Sequence, residues 1–153
     1  GSVFKIITAS VGLEEGIVDE NTPDIFYCAG SELVDNIAIN CWRHTNPHLG
    51  QSLKQALANS CNPSFIQLGL KIGAPTLFKY YNAYGLLSTT NSDFYGEQNS
   101  IFYNPKSIRK FELATMSFGQ GINITPLQLV TAVSAIANEG VLMKPRNCWY
   151  KYR

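Results

Sequence analysis

The longest nearly continuous apolar stretch opens the chain. "VFKIITASVGL", residues 3–13, is apolar on almost every face and interrupted mainly by Lys5. A helix apolar all round belongs in the middle of a domain, and Gly16 supplies its stop. Residues 17–50 change character, with two prolines, two glycines and several Asn and Asp. They read as irregular chain with short strands around Ile25–Cys28 and Ile37–Trp42.

Helical spacing then returns. "SLKQALANS" places Leu53, Ala56 and Leu57 on one face. "NPSFIQLGLKIG" starts afresh, with Asn62 as N-cap, Pro63 at the first helical position and Gly73 as terminator. "APTLFKYYNAYG" carries Leu77, Tyr80, Tyr81 and Tyr84 on one side, and the polar residues 86–107 form a long loop. "IRKFELATMSF" is a short helix ending in "GQG". The clearest helix is "TPLQLVTAVSAIANEG": Thr125 and Gln128 make a capping box, Pro126 sits at N1 and Gly140 closes it. Leu129, Val133, Ile136 and Ala137 are its expected buried face, and "VLMKP" reads as the start of a strand.

Composition narrows the classes. The chain has 153 residues, 45% apolar and 15% charged, with a formal net charge of +1. So low a charged fraction points to much buried surface. Near-neutral charge provides no electrostatic footprint for nucleic acid or an anionic membrane. No apolar run approaches the roughly 18 residues of a spanning helix. The first residues lack the basic region and cleavage site of a signal peptide, so a targeting segment is expected outside this chain. Cys28, Cys41, Cys61 and Cys148 are too sparse for a disulfide scaffold.

Two constellations can carry chemistry. Ser2 and Lys5 stand three residues apart and share a helix face. A serine hydroxyl becomes a nucleophile when a base removes its proton, and burial makes a lysine such a base by lowering its pKa. The spacing recurs as Ser107 and Lys110 in "SIRK", in polar surroundings that indicate a solvated helix start. The second constellation, Ser60-Cys61-Asn62, occupies the joint between two helices, where side chains can point into a cleft. Cys28, Cys41, His44 and His48 imitate a zinc site, but Cys28 and Cys41 are far wider apart than the two to four residues between finger cysteines. The expectation is therefore no metal and no cofactor. Cys61 lies inside the second constellation, and a disulfide from it to Cys41 or Cys28 would deform the cleft and act as a redox switch.

The set Ser-x-x-Lys, Ser-Asp-Asn and Lys-Thr-Gly marks class A β-lactamases and penicillin-binding proteins. "GSVFKIITA" and "LANSCNPSFIQLGLKIG" resemble the first two elements in the transpeptidase domain of monofunctional class B penicillin-binding proteins of the Gram-positive division or spore-wall type. "FYCAG", the later "CW", and "LATMSFGQGINITPLQLVTAVSAIANEGVLMKP" follow in that family's order. The resemblance implies the α/β serine transpeptidase and β-lactamase architecture, of which this chain holds a mainly helical portion with few short strands. It assigns residues 1–146 to that domain and leaves 147–153 as an unassigned aromatic and basic tail. It further implies a D,D-transpeptidase of cell-wall synthesis, anchored to the membrane through a segment absent here and working on the extracytoplasmic face of the bacterial plasma membrane. Ser2 is then the acylated nucleophile, Lys5 its base, Ser60 a proton relay and Asn62 a holder of the donor peptide. Peptidoglycan stem peptides and β-lactams are the implied ligands, and cell-wall synthesis proteins the implied partners. A β-lactamase or β-lactam sensor, or a non-catalytic interaction module, are the alternatives. No Lys-Thr-Gly or Lys-Ser-Gly is present, and Lys71-Ile72-Gly73 ends a helix where the third element lies on a strand edge. Little transpeptidase activity is therefore expected of this chain alone.

Overall fold

The computed structural model describes residues 1–146. The expected tail, 147–153, lies outside them. A single 3-10 turn, Ser2–Phe4, leads into α1, Lys5–Glu14. Its buried side chains include Ile7 and Val11, beside Phe4 of the turn, so this helix is the central one its composition predicts. Each such side chain, fully buried, contributes about 1.5–3 kcal/mol of transfer free energy. Around it pack α3, Asn62–Ile72, and α4, Ala74–Ala83, through Phe65, Ile66, Leu68, Leu77 and Tyr81. The short helix α5, Lys110–Met116, adds Ala114 and Met116 to the same core.

The irregular stretch holds four short strands. β1 (Phe26–Cys28) pairs antiparallel with β4 (Leu49–Gln51), and β2 (Ser31–Val34) with β3 (Ile37–Asn40). The sequence pattern located β1 and β3 but not their partners. β2 and β3 join through Asp35 and Asn36, both at positive φ, as a two-residue hairpin requires. The hairpin's side chains are mostly exposed, so apolar alternation is too weak to announce it.

α2, Leu53–Ala58, begins at Ser52 with a capping box to Gln55. α6, Pro126–Ala137, begins at Thr125 with the predicted capping box to Gln128. Its buried line is Gln128, Ala132 and Ala135, one residue round from the predicted face. Leu129, Val133 and Ile136 are half-buried against the core, and Ala137 is exposed. The rotation follows from Gln128, whose amide donates to Ser88 O at 2.6 Å while its carbonyl caps Thr125 N. "VLMKP" carries no strand, and neither two-stranded sheet pairs with it. Without a partner for its backbone, an extended stretch has no ladder to join.

Two tight contacts seat the start of α1. Thr8 Oγ1 donates to Ser117 O at 2.7 Å across the core. Gly119, at φ +85, lies so close that a Cβ there would meet Gly1 O at 2.4 Å and Phe4 Cβ at 2.8 Å. The "SFGQG" turn therefore holds the residues around Ser2 by backbone contact that only glycine permits.

Candidate active site and family

Ser2 is exposed and Lys5, one turn on, is buried to 1% accessibility. Lys5 Nζ lies 2.7 Å from Asn62 Oδ1, 2.8 Å from Ser60 O, 2.9 Å from Ser60 Oγ and 3.3 Å from Ser2 Oγ. An ammonium has three N–H donors for these four acceptors, and Ser2 Oγ is the most distant of them. The Phe65 ring lies beneath the amine, 5.7 Å from Nζ to its centroid. Burial brings the Lys5 pKa down to about 8. The amine is thus neutral far more readily than a surface lysine, at the end of a hydrogen-bond set that joins both constellations.

Local geometry explains why Ser60 and Asn62 reach it. α2 ends at Ala58, and Ser60 adopts φ +48, a left-handed turn that serine rarely takes. The N-cap of α3 is Cys61, and Asn62 is the first helical residue, so the helix starts one position earlier than the sequence suggested. Asn62 cannot cap its own helix because its carbonyl oxygen accepts from Lys5. Its amide also donates to Asn40 O at 3.4 Å, tying the joint to β3.

The second serine–lysine pair meets nothing comparable. Ser107 and Lys110 are both exposed, and Lys110 only opens α5, as its polar setting predicts.

Cys41 and Cys61 also meet. Their sulfurs are 4.0 Å apart, both buried as free thiols. The set that the sequence offered and rejected on spacing is partly assembled: Cys28 and His48 join the same cluster, whereas exposed His44 does not. The pairing of Cys28 with Leu49 in the β1–β4 ladder carries His48 to that edge. The finger-type spacing test fails here because folding, not local sequence, brings the four together.

A serine hydroxyl within reach of a buried amine is the arrangement that activates a serine nucleophile. The chain matches the family model described as penicillin binding protein transpeptidase domain over residues 1–149, and it belongs to that family. It is 41% identical over 145 residues to stage V sporulation protein D of Bacillus subtilis, covering 95% of this chain and 22% of that protein. It is 28% identical over 143 residues to peptidoglycan D,D-transpeptidase FtsI of Escherichia coli K12, covering 92% and 23%. The apo transpeptidase domain of Burkholderia pseudomallei penicillin-binding protein 3 superposes with a TM-score of 0.87 at 25% identity, over 95% of this chain and 43% of that one. Penicillin-binding protein 3 of Mycobacterium tuberculosis, solved with ampicillin, has the same fold, with a TM-score of 0.87 at 24% identity, over 95% and 32%. The chain thus spans about a fifth of the length of these curated relatives. Among the described residues, no helix is long and apolar enough to cross a membrane.

Proposed function

We propose that the protein carrying this chain is a peptidoglycan D,D-transpeptidase that works through a serine acyl-enzyme. The observation that carries this reading is the single buried amine of Lys5, within hydrogen-bond reach of Ser2 Oγ and Ser60 Oγ at once. As neutral amine, Lys5 takes the proton from Ser2 Oγ as the oxygen attacks the carbonyl carbon of the D-Ala-D-Ala bond. The Ser2 backbone N–H, at the first position of its turn, has no intrahelical acceptor and can stabilise the developing oxyanion. The C–N bond then breaks, and D-alanine leaves with a proton passed from Lys5 through Ser60 Oγ. An amine of a neighbouring peptide attacks the Ser2 ester, a new amide forms, and Ser2 Oγ regains a proton. Asn62 Oδ1 orients the lysine, and the amide N–H that Asn40 O does not use is the group we assign to the donor peptide.

β-Lactams imitate the donor and leave the acyl group on Ser2. Their relevance is supported by relatives named penicillin-binding proteins, one of them solved with ampicillin. Work on peptidoglycan puts the domain on the extracytoplasmic face of the membrane, alongside other cell-wall synthesis proteins. The test uses the full-length protein with a D-Ala-D-Ala stem pentapeptide and an acceptor amine. D-Alanine release coupled to acceptor incorporation, both lost in Ser2→Ala, is the expected result. Sustained β-lactam hydrolysis without acceptor incorporation would make the protein a β-lactamase instead.

A further inference from the structure

We propose that Gln51 and Trp42 are positioning residues that clip Asn59 between them and so set the Ser60–Asn62 joint against Lys5. Gln51 Oε1 accepts from Asn59 Nδ2 at 2.8 Å, and Gln51 Nε2 donates to Ser64 Oγ at 3.1 Å. Asn59 is the C-cap of α2 and Ser64 stands in the first turn of α3. One buried amide therefore spans the joint, from the helix before it to the helix after it. On the strand side, Trp42 Nε1 donates to Asn59 O at 2.8 Å. Asn59, the residue next to Ser60, is thus held by its side chain and its carbonyl at once.

Packing alone does not ask for these residues. Gln51 is 2% exposed and Ser64 1%, at positions where apolar side chains would fill the space and leave no polar atom to satisfy. Strand pairing places the amide, because Gln51 ends β4 opposite Phe26 on the buried side of the ladder. Both ends of that amide are used, one on each side of the joint. The backbone shows why a clip is needed. Ser60 sits at φ +48, a conformation that a residue other than glycine keeps only where its surroundings over-determine it. The N–H groups of Ser60 and Cys61 donate to Leu57 O and Ala56 O, but those bonds tie the turn to α2 alone. Gln51 supplies the tie to α3, and Trp42 the tie to the segment that follows β3.

What the joint aims is the set of acceptors on Lys5. Ser60 Oγ, Ser60 O and Asn62 Oδ1 lie 2.9, 2.8 and 2.7 Å from Lys5 Nζ, and Ser60 and Asn62 are the first and third residues after Asn59. α1 is seated separately, by Thr8 and by the Gly119 turn. The amine and its acceptors therefore belong to two independently held parts of the core, and their registration depends on what locates Asn59. With Ser2 and Lys5 in the roles proposed above, on which this step rests, a displacement of about 1 Å at the joint is enough to slow acylation by about 10²-fold. Gln51 acts on that geometry through Asn59 and Ser64, and Trp42 through Asn59.

The test uses the full-length protein and two variants. Gln51→Met keeps the length and bulk of the side chain and removes both of its hydrogen bonds. Trp42→Phe keeps an aromatic ring at a position that is 65% exposed and removes only the indole N–H, so it carries the test should Gln51→Met not fold. Amide hydrogen exchange read by mass spectrometry should show the Ser60 and Cys61 N–H groups less protected, by about tenfold in Gln51→Met and about two- to tenfold in Trp42→Phe, as the loss of neutral hydrogen bonds allows. With a penicillin, the saturating acylation rate should fall by up to about 10²-fold in Gln51→Met, with little change in the concentration that gives half of it. The proposal is overturned if exchange at Ser60 and Cys61 stays as slow in the folded variants as in the parent. It is equally overturned if the joint loosens while the saturating rate is kept. The rate readout rests on Ser2 being the nucleophile, which a Ser2→Ala control checks; exchange does not, so the two can fail separately.

Discussion

The chain contains the serine–lysine pattern twice, and the two copies have opposite fates. Ser2 and Lys5 open a helix at the centre of the core, and Lys5 ends in contact with a joint 55 residues away. Ser107 lies in the turn before α5 and Lys110 opens that helix, and both side chains meet solvent. Spacing is identical, so spacing does not make the site. What differs is burial of the amine and the presence of long-range acceptors to hold it.

The largest expected effect breaks the comparison outright. In the full-length protein, Lys5→Ala should slow β-lactam acylation by about 10²–10⁴-fold, the range of a lost general base, whereas Lys110→Ala should leave the rate unchanged. A stopped-flow or gel-based acylation time course measures both. Equal effects would remove the distinction between the two copies.

A smaller effect sharpens it. In the proposed mechanism Lys5 acts as a neutral amine, and burial brings its pKa to about 8 against a usual 10.5. Protonation below that value removes the base, so the acylation rate should rise with pH and level off above about 8. Between pH 6.5 and 8.5 the neutral fraction grows about twenty-fold or more. A profile that keeps rising to pH 10 would mean that the amine behaves like that of a surface lysine.

Stability separates the two regions more mildly. Thr8→Val removes the hydrogen bond from α1 to Ser117 O and leaves that carbonyl without its partner, at a cost of about 1–3 kcal/mol. Lys110→Ala should stay within about 0.5 kcal/mol, as exposed substitutions do. Denaturant unfolding resolves the pair.

The same contrast explains what could be read in advance. Ser2, Lys5 and the Ser60–Asn62 joint were legible because each motif is local, and α6 because Thr125, Pro126 and Gln128 fix its start within four residues. The sulfur and imidazole cluster was legible only as a list of members, Cys28, Cys41 and His48 among them; that they join Cys61 was not, since they are scattered from residue 28 to residue 61 and strand pairing unites them. Local rules also misjudged polar residues with distant partners. Asn62 reads as a cap until Lys5 claims its oxygen, and Gln128 reads only as half of a capping box until Ser88 O accepts from its amide. The β2–β3 hairpin shows the other failure, where strands exposed on most positions leave no alternation to read.

The account rests on Ser2 being the residue that Lys5 activates. The most direct measurement is peptide mapping by mass spectrometry of the full-length protein after reaction with a penicillin. The predicted result is one acyl group, carried by the peptide containing Ser2 and absent when Lys5 is replaced by alanine. Acylation of another serine, Ser107 included, or undiminished labelling of the Lys5→Ala variant, would contradict it.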